Sequence, residues 1–177
     1  MNDQIAHAAP EKAAAILASG PVLGVIAALK SAAIDTQIIV HEVATPTSQS
    51  AADVLGCNVA QIAKSVIFRA KQSNQTVLVI ASGANRVDEK KVKALVGQGI
   101  SKADADFVKS NTGFSIGGVA PLGHATPPIA LFDEDLLRFT KIYPAAGHPN
   151  TGFAVDPAAL AKAAGAQIVA IKELPKN

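Results

Sequence analysis

Asn58-Val59-Ala60-Gln61-Ile62-Ala63-Lys64-Ser65-Val66-Ile67-Phe68-Arg69 is the stretch on which the fold turns. Asn58 is a good helix N-cap, and the residues after it read as a short helix that runs into the strand Val66-Ile67-Phe68. The polar run 71–75 then reads as a turn, and Thr76-Val77-Leu78-Val79-Ile80 answers it as a second strand. Two neighbouring antiparallel strands anchor the sheet. Lys64 stands at the junction of helix and strand, where a long stem with rotatable donors suits the grip of a phosphate or an oxyanion. A lysine that merely snorkels from an element end has the same local sequence.

The other elements follow from periodicity and punctuation. Residues 11–17 read as an alanine-rich helix stopped by Gly20-Pro21, and 22–31 as a second helix with Val22, Ile26 and Leu29 on one face. Residues 37–43 form a β-branched strand carrying His41, and Ser48 or Ser50 caps a helix over 51–55 that Gly56 ends. The spacing predicts a helix over 88–95 capped by its own Asp88, and another over 102–109. Strands are expected at 129–132, 141–143, 153–155 and 167–171, a turn or short helix over 133–137, and a helix from Pro157 to Ala164. Residues 115–124 and 147–152 are glycine-bearing loops. No repeat or linker divides the chain, so the order of elements gives a single α+β domain with a mixed, largely antiparallel sheet and surrounding helices.

A chain of 177 residues can bury about 70% of the surface its unfolded form exposes, enough for one core. With 49% hydrophobic but 4% aromatic residues and no Trp, that core is built from Ala, Val, Ile and Leu. The single cysteine, Cys57, excludes an internal disulfide, and a reducing, cytoplasmic setting follows as the default. The longest apolar run, about 22–29, is far short of the roughly 20 residues that cross a bilayer, so no membrane partner is expected. A net charge of +2 gives no electrostatic case for wrapping DNA, although a partner with a few phosphates can still be gripped locally.

Few side chains are left to carry chemistry. The loop Gly117-Gly118-Val119-Ala120-Pro121 allows close backbone approach, and its N–H groups could receive an oxyanion or a sugar hydroxyl; an ordinary tight turn has the same sequence. The histidines at 7, 41, 124 and 148 have no metal-binding spacing. His41 reads as a sheet residue beside Glu42, while His148 lies in a loop with Asn150 where ligand contact or plain solvation are both open. Cys57 reads as a small buried residue rather than a nucleophile. No nucleophile elbow, phosphate loop or dinucleotide fingerprint follows a predicted strand. One good cation, two glycine loops and few acids remain.

In this order, Val40-His41-Glu42, the 45–55 segment, Ile62 to Phe68 around Lys64, 83–91 with Asp88, Gly117 to Pro121, and Ala146-Gly147 resemble the YbaK/EbsC family, the prolyl-tRNA editing domain. The resemblance spans about Val22 to Ile171, which makes 1–20 an N-terminal helical extension and 21–177 the editing domain. Many members hydrolyse the ester of a mischarged aminoacyl-tRNA. The resemblance implies that Lys64 approaches the terminal adenosine or the reacting ester. It also implies that Gly117 to Pro121 is the family's Gly-x-x-x-Pro loop, so that Gly117 and Gly118 join Lys64 as catalytic candidates. His41, Ser65, Val119, Ala120, Pro121, Gly147, His148 and Asn150 are the substrate-binding candidates. No cofactor and no metal is implied.

The sequence also departs from the family's pattern. Members that remove alanine often have Asn directly after the lysine, where this chain has Ser65. Members that remove cysteine tend to carry an aromatic before the His, where 36–40 has none, and an acid shortly after Ala-Gly, where this chain has Thr151-Gly152. The expectation is a freestanding trans-editing hydrolase acting on the 3′ end of aminoacyl-tRNA, most readily tRNA(Pro) carrying a small wrong amino acid such as Cys or Ala, with prolyl-tRNA synthetase as a second partner. A non-catalytic module of the same fold that binds aminoacyl-tRNA or a synthetase is one alternative, and a hydrolase of small aminoacyl esters independent of tRNA is another.

Overall fold

Asn58 does cap a helix, but one that lasts a single turn. Its carboxamide accepts from the Ala60 N–H at 2.9 Å while Gln61 reaches back to the Asn58 N–H at 3.0 Å, closing a capping box around the 3₁₀ turn Val59–Gln61. Ile62 is already extended at φ −71° and ψ 124°. The strand therefore starts two residues before Lys64 rather than after it, and Lys64 takes a strand position with a defined face.

The computed structural model describes residues 7–175. Its strands are β1 (Ile38–Val40), β2 (Ile62–Ala70), β3 (Thr76–Ser82), β4 (Ile100–Lys102), β5 (Ile129–Asp133), β6 (Tyr143–Pro144), β7 (Thr151–Phe153) and β8 (Gln167–Val169). Its helices are α1 (Pro10–Leu17), α2 (Gly20–Ser31), α3 (Ser48–Leu55), α4 (Glu89–Val96), α5 (Ala105–Thr112) and α6 (Pro157–Ala163). The expected hairpin is β2 against β3, antiparallel in a register that sets Lys64 opposite Ala81 and Ser65 opposite Ile80. From β3 the sheet continues in parallel to β5 and β8, while β1 and β7 pair antiparallel in a small second sheet. The result is a single α+β domain with a mixed sheet.

The far edge of β2 is shared. β6 runs parallel to it at Ile62 and Ala63, and β4 antiparallel to it at Phe68 to Ala70. Between those contacts, residues 64–67 have no strand on that side among the described residues. The phase of the β2–β3 ladder is fixed by Gly83 N–H to Ile62 O at 2.7 Å and Ala70 N–H to Gln75 O at 2.9 Å. Because antiparallel bonding alternates, the backbone groups of Lys64 and Val66 turn toward β3 and those of Ser65 and Ile67 toward the open edge.

Side chains of the sheet divide between two cores. Ala63, Leu78, Ile80 and Phe132 pack with Val25, Val108, Phe114 and Leu160 on one face, and Phe68, Val77, Val79 and Leu131 pack with Val92 of α4 on the other. The expected 102–109 helix begins later, because Asp104 caps it at the Phe107 N–H and Ile100 to Lys102 are drawn into pairing with β2. The cap of α3 is Thr47, whose Oγ1 accepts from the Ser50 N–H at 3.0 Å while its own N–H donates to Ser50 Oγ at 3.1 Å. Of the expected 1–20 extension, residues 1–6 lie outside the described residues. The described part packs on β1: Ala8 N–H donates to Val40 O at 3.0 Å, and Ala8 and Ile16 cluster with Val22 and Val40. Among the described residues no single helix is long and apolar enough to cross a membrane.

Candidate functional site

Between the open edge of β2 and the two glycine-bearing loops lies a cleft of about 400 Å³. Ala63, Ile67, Val108 and Val119 make it apolar, Thr45 to Ser48 with Ala51 and Leu55 form one side, and Tyr143 to Ala145 with Gly152 another. Its volume is at the lower end of the ~300–1,000 Å³ typical of small-molecule sites. An aminoacyl group with its ribose is of that size.

Lys64 lines the cleft at the sheet edge. Its side chain starts on the β2 face shared with Val66 and Phe68, opposite the face of Ala63 and Ile67. The ammonium donates to the Asn85 carbonyl oxygen at 2.5 Å. Burial pulls the Lys64 pKa below the usual lysine value, and the negative charge of Asp133 opposes that shift. Asn85 is itself anchored: its amide donates to Asp133 at 2.8 Å and Asp135 at 2.9 Å, while Lys172 holds Asp135 at 2.7 Å. Asp133 is 1% exposed and also accepts the Ser82 N–H at 3.0 Å. Among the described residues the lysine thus has a carbonyl to lean on and no carboxylate in direct contact, which leaves its charge available to a substrate.

The glycine loops pack against each other. Gly117 has φ +93°, a conformation that favours glycine, and lines the cleft. Gly118 lies against the other loop: a Cβ there would come within 2.8 Å of the His148 carbonyl carbon and 2.9 Å of the Pro149 nitrogen. Its N–H donates to Ser115 O at 3.0 Å, so it is spent on the turn and not free for an oxyanion. Ala120 and Pro121 are buried, and the Ala120 carbonyl is bonded by His124 Nε2 at 2.7 Å. Gly147 is buried behind, where its Cβ would meet the Pro21 carbonyl.

Of the residues singled out from sequence, the cleft gathers Lys64, His41, Ser65, Gly117 and Val119, with Pro149 representing the second loop. His148 and Asn150 brace it instead. His148 Nδ1 accepts the Asn150 N–H at 3.1 Å, and the Asn150 amide donates to His41 O at 3.1 Å and Glu42 O at 3.2 Å. His41 is 1% exposed, and its Nδ1, like Ser65 Oγ, is buried without a hydrogen-bond partner among the described residues. Burial, with His7 nearby, holds the His41 pKa below 6.5, so the ring is neutral near pH 7. Burial pushes the Cys57 thiol up to about 11, which rules it out as a ready nucleophile. Among the described residues no three His, Cys, Asp or Glu side chains are grouped to hold a metal ion.

Sequence reading passed over Asn85 and Asp133, which control Lys64, and the outward backbone of Ser65 and Ile67. The only local signal for Asn85 was its place in a loop before the Asp88 cap; its partners are far away in the chain.

A family model for the aminoacyl-tRNA editing domain matches residues 42–163. The uncharacterized protein YwhH of Bacillus subtilis (strain 168) is 31% identical over 128 residues, which cover 72% of this chain and 81% of that protein. The crystal structure of a candidate trans-editing enzyme for prolyl tRNA synthetase superposes with a TM-score of 0.82 at 36% identity, over 88% of this chain and 98% of the other. That of the hypothetical protein APE2540 gives 0.77 at 27% identity, over 85% and 99%. The resemblance seen around Lys64 therefore extends to the whole fold, and the chain belongs to the YbaK-type aminoacyl-tRNA editing domain family.

Proposed function

We propose that the protein deacylates mischarged aminoacyl-tRNA in trans, cleaving the ester between a small, wrongly attached amino acid such as cysteine or alanine and the 3′ end of tRNA, most readily tRNA(Pro). One observation carries this reading: a half-buried, unneutralised ammonium stands at the open sheet edge beside a small apolar cleft. The kinship with a candidate prolyl trans-editing enzyme supports it.

An aminoacyl ester needs little activation, and no protein nucleophile is required. The oxygen of a water bonds to the ester carbon, the bond to the ribose oxygen breaks, and the proton ends on the departing hydroxyl. Negative charge gathers on the former carbonyl oxygen in between. Lys64 is the cation that meets it, and the Gly117 N–H, one of the loop's donors not used within the turn, is the backbone group assigned to it. The apolar walls hold the acyl group in place and keep bulk water out.

A panel of Ala-, Cys-, Ser- and Thr-charged tRNAs tests the proposal. It predicts deacylation of at least one that disappears in Lys64→Ala; absence of any Lys64-dependent deacylation would overturn it. The non-catalytic alternative draws on the occupied Gly118 N–H and on the lean of Lys64 toward Asn85. It predicts tRNA binding that survives Lys64→Ala with no turnover by either protein.

A further inference from the structure

We propose that a second cavity, on the opposite face of β2, binds the nucleotides that precede the esterified adenosine, so that the RNA 3′ end crosses the sheet at its open edge. This rests on reading the protein as an aminoacyl-tRNA deacylase and extends it from the ester to the strand behind it. The cavity is about 580 Å³, larger than the cleft, and shares Lys64, Val66, Ile67 and Ala103 with it. Those shared residues include the stretch of β2 that neither β6 nor β4 covers. The two spaces are thus neighbours across the one gap in the sheet edge.

The cavity's chemistry matches single-stranded nucleic acid. Lys64, Arg86 and Lys102 bring three cations to its wall and Glu89 one acid, in a chain whose overall charge is only +2. Val66 and Val87 supply apolar surface on which a base can lie. Single-strand sites combine these two features, cations along the backbone and apolar or aromatic faces under the bases. The Arg86 guanidinium, 84% exposed, meets the Glu173 carboxylate at 3.4 Å, so a phosphate can compete for it, while the 2.8 Å bond from the Glu173 N–H to the Arg86 carbonyl holds the backbone in place. A cleft of about 400 Å³ has room for the aminoacyl ribose but not for the preceding nucleotides, and the open edge beside Lys64 gives their phosphodiesters a way out. The cations of the second cavity lie on that exit.

The test uses the whole chain and charge reversal at the two exposed cations, Arg86→Glu and Lys102→Glu, with melting temperature as the control for folding. Binding of a fluorescent, non-acylated oligonucleotide ending in CCA is expected to weaken about tenfold per substitution at low salt, with a shallower salt dependence. The ratio of kcat/KM for mischarged tRNA to that for the same amino acid esterified to adenosine alone is expected to fall about tenfold, through KM. Equal oligonucleotide affinity in wild type and both variants overturns the inference, as does an unchanged ratio. If no substrate is hydrolysed by any of the proteins, the deacylase reading fails, and the oligonucleotide arm still decides whether this cavity binds RNA.

Discussion

On one wall of the cleft the 117–121 loop packs through Gly118 against the backbone of His148 and Pro149, whereas on the other Lys64 and Ser65 stand on a strand whose outer edge has no neighbouring strand there among the described residues. The fixed wall spends its polar groups internally: Gly118 on Ser115, His148 on Asn150, Asn150 on the carbonyls of His41 and Glu42. The open wall keeps its groups for something else. Lys64 has only a carbonyl, Ser65 Oγ has no partner, and the Ser65 and Ile67 backbone points where no strand lies. One wall chiefly holds a shape and offers the Gly117 N–H, while the other brings the ammonium, so damage to each has a different signature.

Lys64→Ala tests that division most severely. Removing a donor that meets transition-state charge costs about 10²–10³ in kcat, roughly 3–4 kcal/mol, and here it also removes a half-buried charge, so the melting temperature should hold or rise. Lys64→Arg should not restore turnover, because a rigid fork cannot replace a single rotatable ammonium beside the Asn85 carbonyl. A large loss of stability in Lys64→Ala would break the comparison. Gly118→Ala should do the reverse. Its Cβ would stand within 2.8 Å of the neighbouring loop's backbone, which has no flexible end to move aside, so a loss of about 1–3 kcal/mol by denaturant titration is expected, with turnover following the cleft's shape. Asn150→Ala should cost somewhat less, about 1–2 kcal/mol, by stripping the His41 carbonyl of its side-chain donor and leaving the Glu42 carbonyl to Lys12 alone. Intact stability in both loop variants would show that the second wall is not held as described.

Much of this was legible locally. The hairpin, the Asp88 cap and the glycine stop after α3 are written within a few residues of where they act. Lys64 could be singled out, but its face could not: a helix reaching Lys64 and a strand starting at Ile62 send the side chain in different directions, and only the capping box closing at Gln61 decides between them. β4 and β6 are too short to show alternation, and they exist because the ends of β2 offer free backbone. The open gap between them is therefore invisible in any window of sequence. The Gly117 to Pro121 loop was legible as a motif while the use of each N–H was not. Asn85 and Asp133 depend on side chains brought together by the parallel pairing of β3 and β5, which no local pattern encodes.

The smallest expected effect is in pH, and it separates the two walls by range: the acid side for the histidines of the fixed wall, the alkaline side for Lys64. His41 and His124, both on the fixed side, have folded pKa values held below 6.5 by burial. Between those values and 6.5 the unfolded chain binds protons that the folded one refuses, so stability falls as pH drops below about 6.5. Glu42 and Asp135, held below 4.5 and 3.8, act only at still lower pH, so the first acid loss belongs to the histidines. Lys64 has a folded pKa below 10.5, again through burial. In the window from its folded value up to 10.5 the unfolded chain again binds the extra proton, so stability gains as pH rises there. Turnover needs the ammonium and must fall over the same window. Denaturation midpoints and deacylation rates, corrected for spontaneous ester hydrolysis, should therefore diverge on the alkaline side and the divergence should vanish in Lys64→Met. If the corrected rate instead keeps climbing with pH through that window, the charge on Lys64 is not what the ester meets.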